Sequence, residues 1–175
     1  MNNLIYLRAL HQDDAKTSYA WRNNPLIWEF TKFRAARHIT FEIESAWIKN
    51  VINKDNEYRF AICMKEDGRY IGNVQLIDLK EHSAEFHLFI GDVSYWGKGI
   101  GKEATDLILQ YGFINLGLKF IYLQVHRENL PAMSIYKKIG FVVVNNTEEF
   151  IDMEIQRESY QTVIIPNDLS DVSAA

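Results

Sequence analysis

Between residues 58 and 126 one helical stretch interrupts the strand period of the chain, and that interruption restricts the fold more than any other feature. "YRFAICMK" (58–65), "YIGNVQLIDL" (70–79) and "AEFHLFIG" (84–91) are strand-like segments separated by the polar turns "EDGR" and "KEHS". A helical period follows over about 99–116, where Ile100, Ala104, Leu107, Ile108, Tyr111 and Ile114 share one face and Gly117 is placed to end the helix. "KFIYLQVH" (119–126) returns to strand. Tight turns make antiparallel neighbours, whereas a helix between two strands makes a β-α-β unit whose strands run parallel. The pattern therefore predicts a mixed α/β sheet, mostly antiparallel, with one parallel step.

The flanks add to this sheet. "LIYLRAL" (4–10) alternates as a strand, and Asp13 or Asp14 starts a helix carrying Ala15, Tyr19 and Ala20 that stops before Pro25. Residues 24–40 are irregular and rich in bulky aromatics, Trp28, Phe30 and Phe33. Thr40 opens a second helix with Ile43, Ala46, Trp47 and Val51 on one stripe. "NLPAMSIYKKIG" is a short helix with Asn129 as cap, Pro131 in its first turn and Gly140 as its stop. "FVVVN" and "EEFIDMEIQ" close the sheet. About four helices result, in one domain over 1–157, followed by a C-terminal extension, 158–175, with a loose end.

Composition excludes several functions. A net charge of −4 offers no basic excess for nucleic acid and suits an amine-bearing small molecule. The single cysteine, Cys63, lies in the apolar run "FAICM" and reads as a buried thiol. The histidines at 11, 38, 82, 87 and 126 show no paired ligand spacing, so no metal is expected. The N-terminus has no signal-peptide pattern, and no apolar run approaches the roughly 20 residues of a membrane span. The expectation is a cytoplasmic protein without membrane contact.

The corner "YWGKGIGKEA" (95–104) places three glycines between a strand and a helix, where free N–H groups and the helix dipole favour an anion. It is not a P-loop, because Glu103 stands where the Mg²⁺-binding hydroxyl belongs and Trp96 where the first glycine belongs. It is not the dinucleotide fingerprint, because Lys102 holds the third glycine's place. The stretch resembles the acyl-CoA loop of the GNAT superfamily of acetyltransferases, Arg/Gln-x-x-Gly-x-Gly/Ala. Trp96, Gly97, Lys98, Gly99, Ile100 and Gly101 fill it, with Trp96 replacing the usual Arg or Gln. That spelling is similar to the branch containing the ribosomal-protein alanine N-acetyltransferases. A second motif, "NLPAMSIYKKIGF" (129–141), matches the family's N-x-x-A-x-x-hydrophobic-Tyr-x-x-x-Gly-Phe at every fixed position.

The resemblance implies the GNAT fold, with a central parallel pair of strands that splay apart, and acetyl-CoA as acyl donor. It implies that backbone N–H groups from Trp96 to Gly101 hold the pyrophosphate. Lys98 and Lys102 then lie at the rim, or are plain solvated charge. The opened edge of Leu88, Phe89 and Ile90 would hold the pantetheine, with Asn129 as a further ligand as well as a helix cap. Tyr136 would be the general acid, although its apolar stripe (Ala132, Ile135, Ile139) also fits simple packing. Glu85, His126 and Asp92 are candidate bases, each with a structural alternative, and a water relay is a further option. The acceptor side would be Trp21, Arg22, Trp28, Phe30 and Phe33, with Tyr160 beside them. The implied acceptor is a small-molecule primary amine: a polyamine, an aminoglycoside or an amino sugar. The alternatives are a protein N-terminus, as in the ribosomal-protein enzymes, and a non-catalytic acyl-CoA sensor. A nucleotide-binding protein of another kind would leave the second motif unexplained. A homodimer is compatible with the sequence.

Overall fold

The computed structural model describes residues 3–32 and 37–160. Phe33 and the extension beyond residue 160 lie outside the described residues. Seven strands form one sheet: β1 (Ile5–Ala9), β2 (Tyr58–Met64), β3 (Tyr70–Ile77), β4 (Ser83–Ile90), β5 (Phe120–His126), β6 (Val142–Asn146) and β7 (Phe150–Gln156). Their order is β1-β2-β3-β4-β5-β7-β6, and every pairing is antiparallel except β4 with β5. This is the GNAT fold. The helices are α1 (Ala15–Arg22), α2 (Pro25–Trp28), α3 (Phe41–Val51), α4 (Ile100–Gln110) and α5 (Leu130–Ile139).

Both faces of the sheet are covered. On one face Phe60, Ile62, Val74, Leu76, Phe86 and Ile121 pack with α4 and α5. On the other, Ala61, Cys63 and Tyr70 pack with Ala15, Trp21 and Ile48 from α1 and α3. Two-residue alternation along β2 and β3 feeds both cores at once. Cys63 is fully buried, and burial pushes its thiol pKa up.

Four helical details differ from the hydropathy reading. A π turn at Tyr111–Asn115 follows α4, with Leu116 N–H bonding to the Tyr111 carbonyl at 3.1 Å. The extra residue per turn rotates Ile114 off the apolar face, leaving it 57% exposed while Phe113 is buried. In α3 the buried stripe is Glu44, Ile48 and Val51, not Ile43, Ala46, Trp47 and Val51. Glu44 can occupy the core face because it accepts from Ser18 Oγ at 2.8 Å and from Arg22 Nε at 3.0 Å. In α1 the buried residues are Ala15, Ser18 and Trp21. The segment expected to be irregular contains the single-turn α2, capped by Asn24, whose side chain accepts from Leu26 N–H, with Pro25 in its first turn.

Candidate active site

The parallel pair opens toward its carboxyl ends. β4 and β5 pair only at Ser83↔Phe120, Ala84↔Ile121 and Glu85↔Tyr122. Beyond Glu85, β4 stays bonded to β3 while its other edge leaves β5. The Gly91 N–H donates to the Ile71 carbonyl at 2.8 Å, and Phe89 lies opposite Asn73. Strand alternation therefore turns the peptide groups of Phe89 toward β3 and those of Leu88 and Ile90 toward the opening. The expectation that all three residues line the opened edge is corrected for Phe89, whose peptide is committed to the ladder. Trp96 Nε1 donates to the Ile90 carbonyl at 2.9 Å and ties the glycine corner to the end of β4.

The corner turns where the sequence demands glycine. Gly97 and Gly99 have φ of +74° and +82°, and a methyl group at either would meet nothing within 4 Å. They are required by backbone conformation, and they leave open space over the start of α4. Gly101 is different: its ideal Cβ would touch Ile135 Cδ1 at 3.5 Å and Leu88 Cδ2 at 3.7 Å. That contact brings the glycine corner, the opened strand and α5 to one point. Lys98 Nζ lies 5.0 Å from the centre of the Tyr95 ring. Lys102 Nζ pairs with Asp106 at 2.6 Å, which neutralises most of its charge at the rim. Ile100 is buried and anchors α4.

Tyr136 stands on α5, next in sequence to the Ile135 that approaches Gly101. Its ring meets Phe86 edge-on at 5.7 Å and Phe141 at 5.6 Å. The residue is 8% exposed, and burial pushes its pKa well above the ordinary tyrosine value. Among the described residues the hydroxyl makes no hydrogen bond, and no fully buried side-chain polar atom lacks a partner, so its oxygen is not sealed inside the core. Asn129 caps α5, its side chain accepting from the Ala132 N–H at 3.3 Å.

The three candidate bases occupy different settings. Glu85 sits where the splay begins and meets His87 Nε2 at 3.0 Å; that hydrogen bond holds its carboxyl below its ordinary range. His126 ends β5 between Phe30 at 5.7 Å and Phe150 at 5.2 Å. Its Nδ1 accepts from the Glu128 N–H at 3.2 Å, so in the neutral ring the proton resides on Nε2. With Nδ1 so engaged, the neutral ring of His126 offers Nε2–H as a donor. Asp92 Oδ1 accepts from the Ser94 N–H at 3.0 Å and the Ser94 hydroxyl at 2.6 Å, and is committed to that turn.

The segment after α1 crosses the mouth of the splay. Trp28 packs on Phe89 at 5.3 Å, Phe30 on His126, and Lys32 Nζ lies 4.7 Å from the centre of the Phe150 ring. Asn23 fixes both ends of this loop, donating to the Ile39 carbonyl at 2.8 Å and accepting from its N–H at 2.9 Å. Arg22 pairs with Glu44 and stacks 4.2 Å from the Trp47 ring centre. Trp21 is core: it packs on Tyr70 at 4.7 Å and against Gly91, where a Cβ would fall 2.0 Å from its ring. Tyr160 packs on Phe113 and donates to the Asp106 carbonyl, away from the loop. Sequence reasoning passed over Lys32 and Phe150; alternation puts His87 on the same strand face as Glu85 but gives it no role. A lysine in an irregular stretch and a phenylalanine among acids carry no local signal.

Among the described residues no group of three or more His, Cys, Asp or Glu side chains could hold a metal ion. None of their helices is long and apolar enough to cross a membrane.

Residues 5–142 match the family model described as an acetyltransferase (GNAT) domain. The chain is 32% identical over 142 residues to spermidine N(1)-acetyltransferase of Escherichia coli, covering 79% of this chain and 73% of that protein. It spans 28% of the length of the uncharacterized protein MJ1062 of Methanocaldococcus jannaschii, to which it is 27% identical over 139 residues, 78% of this chain. Among solved structures it resembles spermidine N-acetyltransferase from Vibrio cholerae in complex with CoA and spermine. The TM-score is 0.82 at 27% identity, covering 91% of this chain and 99% of the other. These relatives do not bear out the finer likeness to the ribosomal-protein alanine branch.

Proposed function

The chain belongs to the acetyltransferase (GNAT) domain family, and from this premise we propose that it transfers the acetyl group of acetyl-CoA directly to a primary amine of a small molecule. The observation that carries the proposal is Tyr136: a buried ring packed edge-on against Phe86, the residue that follows the last β4–β5 pair, with a hydroxyl that bonds to none of the described residues. A tyrosine that merely packed would have no need of an unbonded polar atom there. The polyamine enzymes among the relatives support a small-molecule acceptor over a protein N-terminus.

In the proposed reaction the backbone N–H groups from Trp96 to Gly101 hold the pyrophosphate of acetyl-CoA, with Lys98 adding charge from the rim. The peptide group of Leu88 and the N–H of Ile90 bond the pantetheine as an added strand would, and Asn129 offers its amide N–H₂. The neutral amine attacks the thioester carbonyl carbon, forming the C–N bond, and the C–S bond breaks. The departing thiolate takes a proton from the Tyr136 hydroxyl, the nitrogen loses its own proton to water beside Glu85 and His87, and water returns a proton to Tyr136. His126 Nε2–H, Arg22, Trp28 and Phe30 orient the acceptor.

The test is thiol release from acetyl-CoA against a panel of primary amines, with calorimetry of acetyl-CoA binding alongside. Amine-dependent release is the expected result. Binding without release for any amine would favour a sensor, and no binding would overturn the proposal.

A further inference from the structure

We propose that the acceptor carries an anionic group, a carboxylate or a phosphate, which a cavity bordered by Asn23, Trp28 and Arg37 receives while the amine is presented at the splay. The inference rests on the acetyltransferase reading and narrows its acceptor. A cavity of about 670 Å³ opens at this loop, lined by Arg22, Asn23, Trp28, Glu29, Arg37 and His38 among others. That volume suits a small molecule. Its wall is shared with the cleft, because Trp28 packs on Phe89 of β4 and Arg22 lies 5.3 Å from the Trp28 ring centre. The Asn23–Ile39 clamp holds its two sides together.

Charge is unevenly distributed between this loop and the rest of the chain. The protein has a formal net charge of −4. Yet the described residues of the 21–40 segment contribute Arg22, Lys32 and Arg37 against a single acid, Glu29. Glu44 offsets part of the Arg22 charge. Arg37 is exposed and borders the cavity, with His38 beside it. Lys32 stands at the far end of the loop, over Phe150, and its charge acts on Glu85. A polycation entering here would meet guanidinium and ammonium groups first. An acceptor with an amine at one end and an anion at the other would place the amine near the Glu85 carboxylate and the anion toward Arg37. Arginine matches carboxylate and phosphate equally well through its forked donors. The overall acidity of the chain, which by itself suits a cationic partner, thus reverses sign at the loop that meets the acceptor.

The experiment compares matched amines that differ in the anion: glucosamine with glucosamine 6-phosphate, putrescine with 4-aminobutyrate, and alaninamide with alanine. The phosphate and carboxylate arms distinguish the two sources of charge. We expect the anionic member of at least one pair to have a kcat/KM about tenfold higher, the factor that one charge-assisted hydrogen bond supplies. Raising ionic strength should raise its KM, and should not raise that of the partner that lacks the anion. Arg37→Gln should raise the same KM about tenfold with a smaller effect on kcat, and Arg37→Lys should restore part of it. Preference for the cationic or uncharged member in every pair would overturn the inference, as would equal rates, or no turnover of any member while acetyl-CoA binds. Failure of acetyl-CoA itself to bind would instead remove the acetyltransferase reading.

Discussion

Replacing Tyr136 by phenylalanine separates catalysis from packing, because the structure gives its hydroxyl and its ring different surroundings. The ring contacts with Phe86 and Phe141 survive the change, and the hydroxyl gives up no protein hydrogen bond. Stability should therefore change by no more than about 0.5 kcal/mol, a shift of roughly 2 °C or less in Tm. The chemical effect is larger. A thiol of the cysteine type has a pKa near 8.5, and burial holds Tyr136 above its ordinary value of 10.0. Full proton transfer to the thiolate is then uphill by more than about 2 kcal/mol. Tyr136 acts mainly as a strong donor to the developing thiolate and parts with its proton only as the C–S bond breaks. Loss of a positioned acid costs about 10²–10⁴-fold in rate, ~3–5.5 kcal/mol. The assay is kcat for Tyr136→Phe against wild type from pH 6 to 9, with acetyl-CoA affinity by calorimetry and Tm by thermal unfolding. Tyrosine stays neutral below its raised pKa, so the deficit should be the same at every pH in that range. Unchanged kcat would refute the acid role. A deficit accompanied by a Tm several degrees lower would assign the residue to packing.

Three further outcomes follow from the geometry. Glu44→Ala should cost about 3 kcal/mol and lower Tm by roughly 6–12 °C, because it removes the buried partner of Arg22 and Ser18; a loss under about 1 kcal/mol in thermal unfolding would contradict this. Gly99→Ala should destabilise by about 1–2 kcal/mol through its positive φ and weaken acetyl-CoA binding, whereas Gly101→Ala should keep wild-type Tm, since its methyl makes ordinary contacts in a helix. Equal Tm losses in the two variants would show that space, not backbone conformation, selects glycine here. The Glu85 carboxyl is depressed by its hydrogen bond with His87, so the stability this pair contributes is present above the unfolded value, near 4.3, and is lost as pH falls through the lower folded value. Glu85 is thus an anion throughout pH 6–9, and Glu85→Gln should lower kcat/KM for the amine by a constant factor there. Disappearance of an ascending limb near neutral pH in the variant would instead show that Glu85 titrates during turnover.

Local chemistry in the sequence determined much of this protein. Alternation with polar turns specified the β2-β3-β4 meander, and the single helical interruption specified the parallel step to β5. Gly97 and Gly99 specified a corner that turns through positive φ, and Asn129 and Gly140 specified where α5 begins and ends. These features are legible because each depends on residues a few positions apart. The tertiary structure decided whatever rests on contacts between distant segments. The contact of Gly101 with Leu88 and Ile135, the clamp of Asn23 on Ile39, and the packing of Phe30 and Lys32 on the ends of β5 and β7 leave no periodic trace. The same holds for Glu44, which hydropathy places outside and a hydrogen-bonded arginine draws inside. A side chain's type fixes what it can bond, but only the folded chain brings the partner within bonding distance, so the motifs named the chemistry and the packing arranged the cleft around it.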